Sequence, residues 1–192
     1  MPNWCSCDLE IMGPAAAIQK IRDLCPVTQN EDADAPGTIP ICNLFPTPEE
    51  LTNIHVGSTK LPDGTQLTNW RETPDGPVAV DSEALQSKYG FSNWYDWNIA
   101  NWGTKWSFSL HEGPVDDPAL YPDPDQGYLT GTFESAWSPP LSFFEKVSAD
   151  FPECTFTLRY FECGMGFQGL VIFEAGETTE EYSSDYRGSR GG

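Results

Sequence analysis

His111 stands beside Glu112, and a histidine next to a carboxylate is the pairing a general base needs. No nucleophile motif accompanies it. His55, the second histidine, lies in a polar stretch. Both read as surface or strand-end residues, so a hydrolase or transferase built on His111 ranks third among the functions considered. Glu134 and Glu162 fall on segments that read as neighbouring strands. Facing one another across a cleft, they could serve as acid and base. A one-residue slip in register would remove that pairing, so they read as solvent-facing strand residues. No catalytic residue is assigned, and the chain reads as a non-enzyme.

Six cysteines, Cys5, Cys7, Cys25, Cys42, Cys154 and Cys163, could in principle bind zinc or form disulfides. Their spacing offers one Cys-x-Cys and no Cys-x-x-Cys, with no histidine close by, which is a poor zinc signature. The start of the chain, MPNWCSCDLEIMGP, lacks a basic region and a long apolar stretch, so it does not read as a signal peptide. No run approaches the ~20 apolar residues that span a bilayer. Intracellular thiols stay reduced, and these read as buried small hydrophobes. No metal and no cofactor are expected.

Acid dominates the charge: 29 Asp and Glu face 10 Lys and Arg, a net −19. A surface of that sign repels nucleic-acid backbones and anionic membranes and attracts basic partners. Three acidic groups stand out: Glu31, Asp32 and Asp34; Asp116, Asp117, Asp123 and Asp125; and Glu177, Glu180, Glu181 and Asp185. The second group lacks the spacing of a calcium loop and is rich in proline. Arg187 and Arg190 are too few to make a nucleic-acid tail.

The stretch NWYDWNIANWGTKW, residues 93–106, carries Trp94, Tyr95, Trp97, Trp102 and Trp106, and Trp137 follows later. Aromatic rings can stack bases or sugars, but base stacking normally accompanies a basic groove, and Lys105 is nearly alone here. One buried tryptophan is worth about 4–6 kcal/mol gross. The block therefore reads mostly as structural glue for an insertion with little regular structure. Asn93, Asn98 and Asn101 would satisfy loop backbone groups, and Lys105 would pair with a carboxylate.

Period-two alternation over residues 4–12 predicts a strand with Cys5, Cys7, Leu9 and Ile11 on one face and Ser6, Asp8 and Glu10 on the other. Gly13-Pro14 then opens a helix whose inner stripe is Ile18, Ile21, Leu24 and Cys25, ended by Pro26. Thr47-Pro48-Glu49-Glu50 starts a helix, residues 52–80 read as loops or short hairpins, and Ser82 caps a helix closed by Gly90. Trp106, Phe108 and Leu110 predict a strand. Residues 127–137 alternate as a strand. Ser138-Pro139-Pro140 opens a helix with Leu141, Phe144, Val147 and Phe151 inward. Two further strands are predicted over 154–163 and 167–174.

These elements compose an α+β fold of the ferredoxin-like, split β-α-β kind, an antiparallel sheet with helices on one face. The 192 residues read as a single domain. Its core spans about 3–26 and 127–175. A Trp-rich insertion occupies about 41–112, an acidic loop 113–126, and a frayed, flexible tail 177–192.

Four stretches carry a family likeness: MPNWC running into LEIMGP, LFPTPEEL, NWYDWNIANWGTKW, and ESAWSPPLSFFEKVSADFP followed by YFECGMGFQG. Together they resemble the YubB, or ferredoxin-like, family of small proteins of phages, prophages and conjugative plasmids. Cys7 stands where that family usually has asparagine. The resemblance implies a ferredoxin-like domain of mobile-element origin in the cytoplasm of a bacterial host, and transfers no catalytic residue. Joined to the charge, it gives the expected function: a non-enzymatic acidic interaction protein that blocks a basic, nucleic-acid-binding host defence protein or ribonucleoprotein complex. Inhibition would be of the anti-CRISPR or anti-restriction type, with the acids imitating nucleic acid. Direct binding of nucleic acid or membrane is not expected. The alternative is a small binding module that uses its sheet or aromatic insertion, with the acid serving solubility.

Overall fold

A computed structural model of the chain describes residues 3–29, 37–61, 63–113, 123 and 125–188. The first alternating segment is β1 (Trp4–Pro14), and its Cys5, Cys7, Leu9 and Ile11 are buried as the period requires. Pro14, with φ −53°, leads into α1 (Ala15–Leu24), which buries Ala17, Ile18 and Ile21. Leu24 is 49% exposed rather than inward, because Cys25, just past the last turn, takes the core position.

Between α1 and the last third lies the insertion. A single 3-10 turn (Ile41–Leu44) and the short α2 (Glu49–Thr52) precede an antiparallel meander of β2 (His55–Lys60), β3 (Gln66–Thr73) and β4 (Gly76–Ala79). Helix α3 (Ser82–Tyr89) is capped by Asp81 rather than Ser82: its carboxylate accepts the Ala84 N–H at 3.0 Å. Gly90, at φ 76°, closes it.

The aromatic block, expected to lack regular structure, is the helix α4 (Trp94–Trp102). Its residues are mediocre helix formers, so the caps decide. Asn93 accepts the Asp96 N–H at 2.9 Å, and Gly103 ends the helix at φ 78°. Substituting Asn93 by Ala is expected to cost about 1 kcal/mol in urea denaturation, whereas Asp retains the cap. Trp106–Leu110 does not form the predicted strand. Its alternation records Phe108 and Leu110 turning into the core from a non-ladder path, with one bridge from Leu110 to Ile39. The ladder starts only at β5 (His111–Glu112).

The last third holds β6 (Gln126–Ala136), α5 (Leu141–Asp150), β7 (Thr155–Glu162), β8 (Phe167–Glu174) and β9 (Glu177–Asp185). The expected frayed tail is corrected by β9, which hydrogen-bonds along β8. Helix α5 buries Phe143, Phe144, Val147 and Ser148, while Leu141 is only partly covered.

All pairings in the main sheet are antiparallel, in the order β5-β6-β1-β7-β8-β9. Two split β-α-β units interlock: β1 and β5 flank β6, and β6 and β7 flank β1. The fold is therefore ferredoxin-like, extended by the β8–β9 hairpin and interrupted between α1 and β5. Both long helices and the insertion cover one face. There Phe108 stacks on Phe133 at 4.8 Å, and Phe143 meets Phe144 edge-on at 5.1 Å. Among the described residues the opposite face carries no helix.

Candidate functional site

Strand alternation sends the residues that the core does not use to the open face. Register aligns them in rows. Glu134, Ser6, Phe161, Gln168 and Ser184 form one, and Thr132, Asp8, Arg159, Leu170 and Tyr182 the next. Thr130, Glu10, Thr157, Ile172 and Glu180 form a third, and His111 of β5 extends the Asp8 row. With Glu174 and its partner Glu177, six carboxylates of the described residues lie on this face, beside the guanidinium of Arg159. Strands stand about 4.8 Å apart, so these acids are spread over the face rather than massed. Neighbouring hydroxyls hold two of them: Ser6 donates to Glu134 at 2.8 Å and Thr155 to Glu174 at 2.8 Å. The sequence placed Asp8 and Glu10 on this face; Glu134 and Glu174 join them only through the pairing.

The predicted acidic groups fare differently. Glu31, Asp32, Asp34, Asp116 and Asp117 lie outside the described residues. Asp123 accepts the Asp125 N–H at 2.9 Å, and the Asp125 carbonyl accepts the Ala15 N–H at 2.9 Å, so this pair shapes the turn into β6. Glu177, Glu180, Glu181 and Asp185 are exposed along β9.

The aromatic residues divide. Trp97 and Trp102 are core, and Trp102 donates its indole N–H to the Phe45 carbonyl at 2.8 Å. Trp94 and Tyr95 are half-buried. Trp106 and Trp137 are 36% and 50% exposed, and Trp4 is 47% exposed against Trp106 at 5.8 Å. Trp137 also holds φ 71°, a costly value for a bulky residue. Among the described residues Lys105 pairs with no carboxylate, against expectation; its ammonium lies over the Trp106 and Tyr95 rings at 4.5 and 5.4 Å. A groove of about 450 Å³ runs between Trp94, Trp102, Trp106 and Pro46. Asn98 fixes its wall, accepting from the Thr47 hydroxyl at 2.6 Å and donating to the Lys105 carbonyl at 3.0 Å.

The acid–base pairings do not assemble. His111 faces the open side, while Glu112 points to the helices and accepts both Arg22 amino groups, at 3.1 and 2.5 Å. His55 stacks on Trp70 at 4.1 Å. Glu134 and Glu162 are not on neighbouring strands, since β1 runs between β6 and β7. They also point to opposite faces. Glu134 is exposed, whereas Glu162 is 1% exposed and accepts the backbone N–H groups of Gly164 (2.8 Å) and Met165. The turn it organises thus supplies partners for its buried carboxyl oxygens.

Five cysteines are buried and Cys163 is exposed. Burial raises the Cys25 thiol to about 12 and the Cys154 thiol to about 11, and pushes Cys7 well up. A disulfide reagent is expected to label one thiol per folded chain, and C163S to abolish that labelling; two or more rapid equivalents would contradict it. The sign for stability follows. These thiols stay neutral in the folded state but ionise near 8.5 when unfolded. Their contribution is complete below that value and falls as pH rises from about 9 towards the folded values. The urea midpoint should therefore drop between pH 8 and pH 10.5, and less so in C25A/C154A.

Residues 119–190 match the family described as the ferredoxin-like domain in Api92-like protein. The matched domain carries β6, α5, β7, β8 and β9, and with them Glu134, Arg159, Glu174 and Glu180 of the open face. The crystal structure of Api92 from Yersinia pseudotuberculosis aligns at 14% identity with a TM-score of 0.47, covering 98% of this chain and 99% of that one. No curated protein matches the chain. Among the described residues no helix is long and apolar enough to cross a membrane.

Proposed function

We propose that this chain is a non-enzymatic interaction protein whose open, acid-bearing sheet face docks a basic, nucleic-acid-binding host protein. The observation that carries this reading is the placement of Asp8, Glu10, Glu134, Glu174 and Glu180 on the sheet face that no helix of the described residues covers. A net charge of −19 adds long-range attraction. Such attraction speeds encounter and is screened beyond about 8 Å at physiological ionic strength. The resemblance to the YubB family of phage and plasmid proteins suggests the setting. A mobile-element protein of this kind would inhibit a defence complex, of the anti-CRISPR or anti-restriction type, by occupying its nucleic-acid surface.

The test is capture from a bacterial lysate at low and high salt, with the wild type beside E10Q/E134Q/E174Q/E180Q. Wild type should hold a basic nucleic-acid-binding protein that elutes as salt rises. The quadruple variant should lose most of that capture. A partner held equally by the variant, or equally at high salt, would sink the reading.

A second reading rests on a different observation, the exposure of Trp4, Trp106 and Trp137. Exposed tryptophans anchor interfaces. If they carry binding, W106A/W137A abolishes capture while the charge variant leaves it unchanged.

A further inference from the structure

Among the described residues the long unpaired edge of the main sheet is β9. The opposite edge, β5, has two residues; β9 has nine, all exposed except Ser184. In an antiparallel pair alternate residues bond to one side only. On β9 those bonds go to β8, so the remaining N–H and C=O groups point outward, a template for another strand. A register irregularity between Ile172 and Phe173 disturbs the first part of the ladder. Glu180–Asp185 then pairs residue for residue with Phe167–Ile172, and contains no proline to block addition.

The charge of this edge selects its occupant. Glu177, Glu180, Glu181 and Asp185 are its charged residues, and none is lysine or arginine. Protective edges commonly carry lysine; this one is uniformly negative. Acids project to both faces: Glu180 lies with Tyr182 on the open face, and Glu181 and Asp185 on the helix side. A second copy of the chain would set four carboxylates against four with no cation between them, which like-charge pairing across strands opposes. A strand with arginine at alternate positions would meet carboxylates on either face, and Tyr182, 58% exposed, offers a ring for a guanidinium.

We infer that β9 is a strand-addition site for an extended, arginine- or lysine-bearing segment of a partner protein. The inference rests on the docking reading above and gives it a mode: backbone pairing supplies geometry and the acids supply selectivity. A loop of a nucleic-acid-binding protein, already basic, is the chemistry that fits.

The test uses the full chain and two short peptides of one sequence, alternating arginine with valine or threonine. One twin carries N-methyl groups on alternate backbone amides and cannot pair along that edge. The unmodified peptide should slow exchange of the Glu180–Asp185 amides, bind at least about tenfold tighter than its twin, and weaken with salt. Equal affinity of the twins would overturn the inference by showing contact through charge alone. Protection of β9 that grows with protein concentration in the absence of peptide would also overturn it, in favour of a second copy. Protection of β9 without any salt-released lysate partner would uphold the edge and sink the docking reading. Salt-released capture without β9 protection would do the reverse.

Discussion

Phe144→Ala is expected to lose about 3–5 kcal/mol, the range for truncating a fully buried phenylalanine. Its ring is 0% exposed and reaches every layer of the molecule. It meets Phe133 of β6, Phe156 of β7 and Phe173 of β8 at 6.2–6.3 Å, Phe143 at 5.1 Å, and Phe108 of the insertion at 6.4 Å. Removing it strips partners from sheet, helix and insertion at once, and the surrounding rings are too interlocked to collapse into the void. A small domain is stable by only about 5–15 kcal/mol, so a fifth or more of the total would go. Urea denaturation followed by tryptophan fluorescence and by far-ultraviolet circular dichroism checks this. Coincident transitions shifted to lower urea are expected. A loss under about 1 kcal/mol, or separate transitions for the two probes, would mean that the insertion does not share this core.

Gly131→Ala is the second large effect, and its cause is crowding rather than loss. A β-carbon at Gly131 would lie 2.3 Å from the His111 carbonyl oxygen, 3.0 Å from the His111 carbonyl carbon and 2.9 Å from Leu110 Cγ. Backbone atoms cannot swing aside, so β5 must leave β6. That removes the His111–Thr132 and Glu112–Gly131 pairs and misplaces Glu112 relative to Arg22. The expected cost is about 2–3 kcal/mol, with faster amide exchange at His111 and Glu112. Gly113→Ala is the control, since the nearest atom to its new β-carbon is the Gly131 α-carbon at 3.9 Å. Equal stability of the two variants would contradict this account.

Strands and helices whose apolar residues repeat at the period of their own geometry were legible in the sequence. β1, β6, β7 and β8 show alternation because one face of each meets the helices, and α1 and α5 are framed by proline. The ferredoxin-like plan follows from those elements alone. β9 was not legible, because an edge strand exposed on both faces has no apolar period; Glu, Thr and Ser there are held by ladder bonds to β8. β5 is too short to carry a pattern. α4 was hidden by aromatic and Asn residues whose capping role emerges only from Asn93 and Gly103 in place. The candidate site divides in the same way. Composition announces the acid, and alternation assigns Asp8 and Glu10 to a face, but only the strand order sets them with Glu134, Glu174 and Glu180. Strand order likewise separates Glu134 from Glu162, which segment-by-segment reading had made neighbours.

The position of β1 has a consequence in time. It lies between β6 and β7, and neither partner exists until residues 126–162 have been made. Chains grow at roughly 5–20 residues per second, so β1 waits on the order of 6–30 s after its own synthesis. Throughout that interval Cys5, Cys7, Leu9 and Ile11, all buried at the end, form an unpaired strand with one apolar side. The earliest part of the sheet to be translated thus waits longest for its first partner. The acids that alternate with those residues, Asp8 and Glu10, then act on the nascent chain, keeping one waiting strand from joining another before its partners arrive.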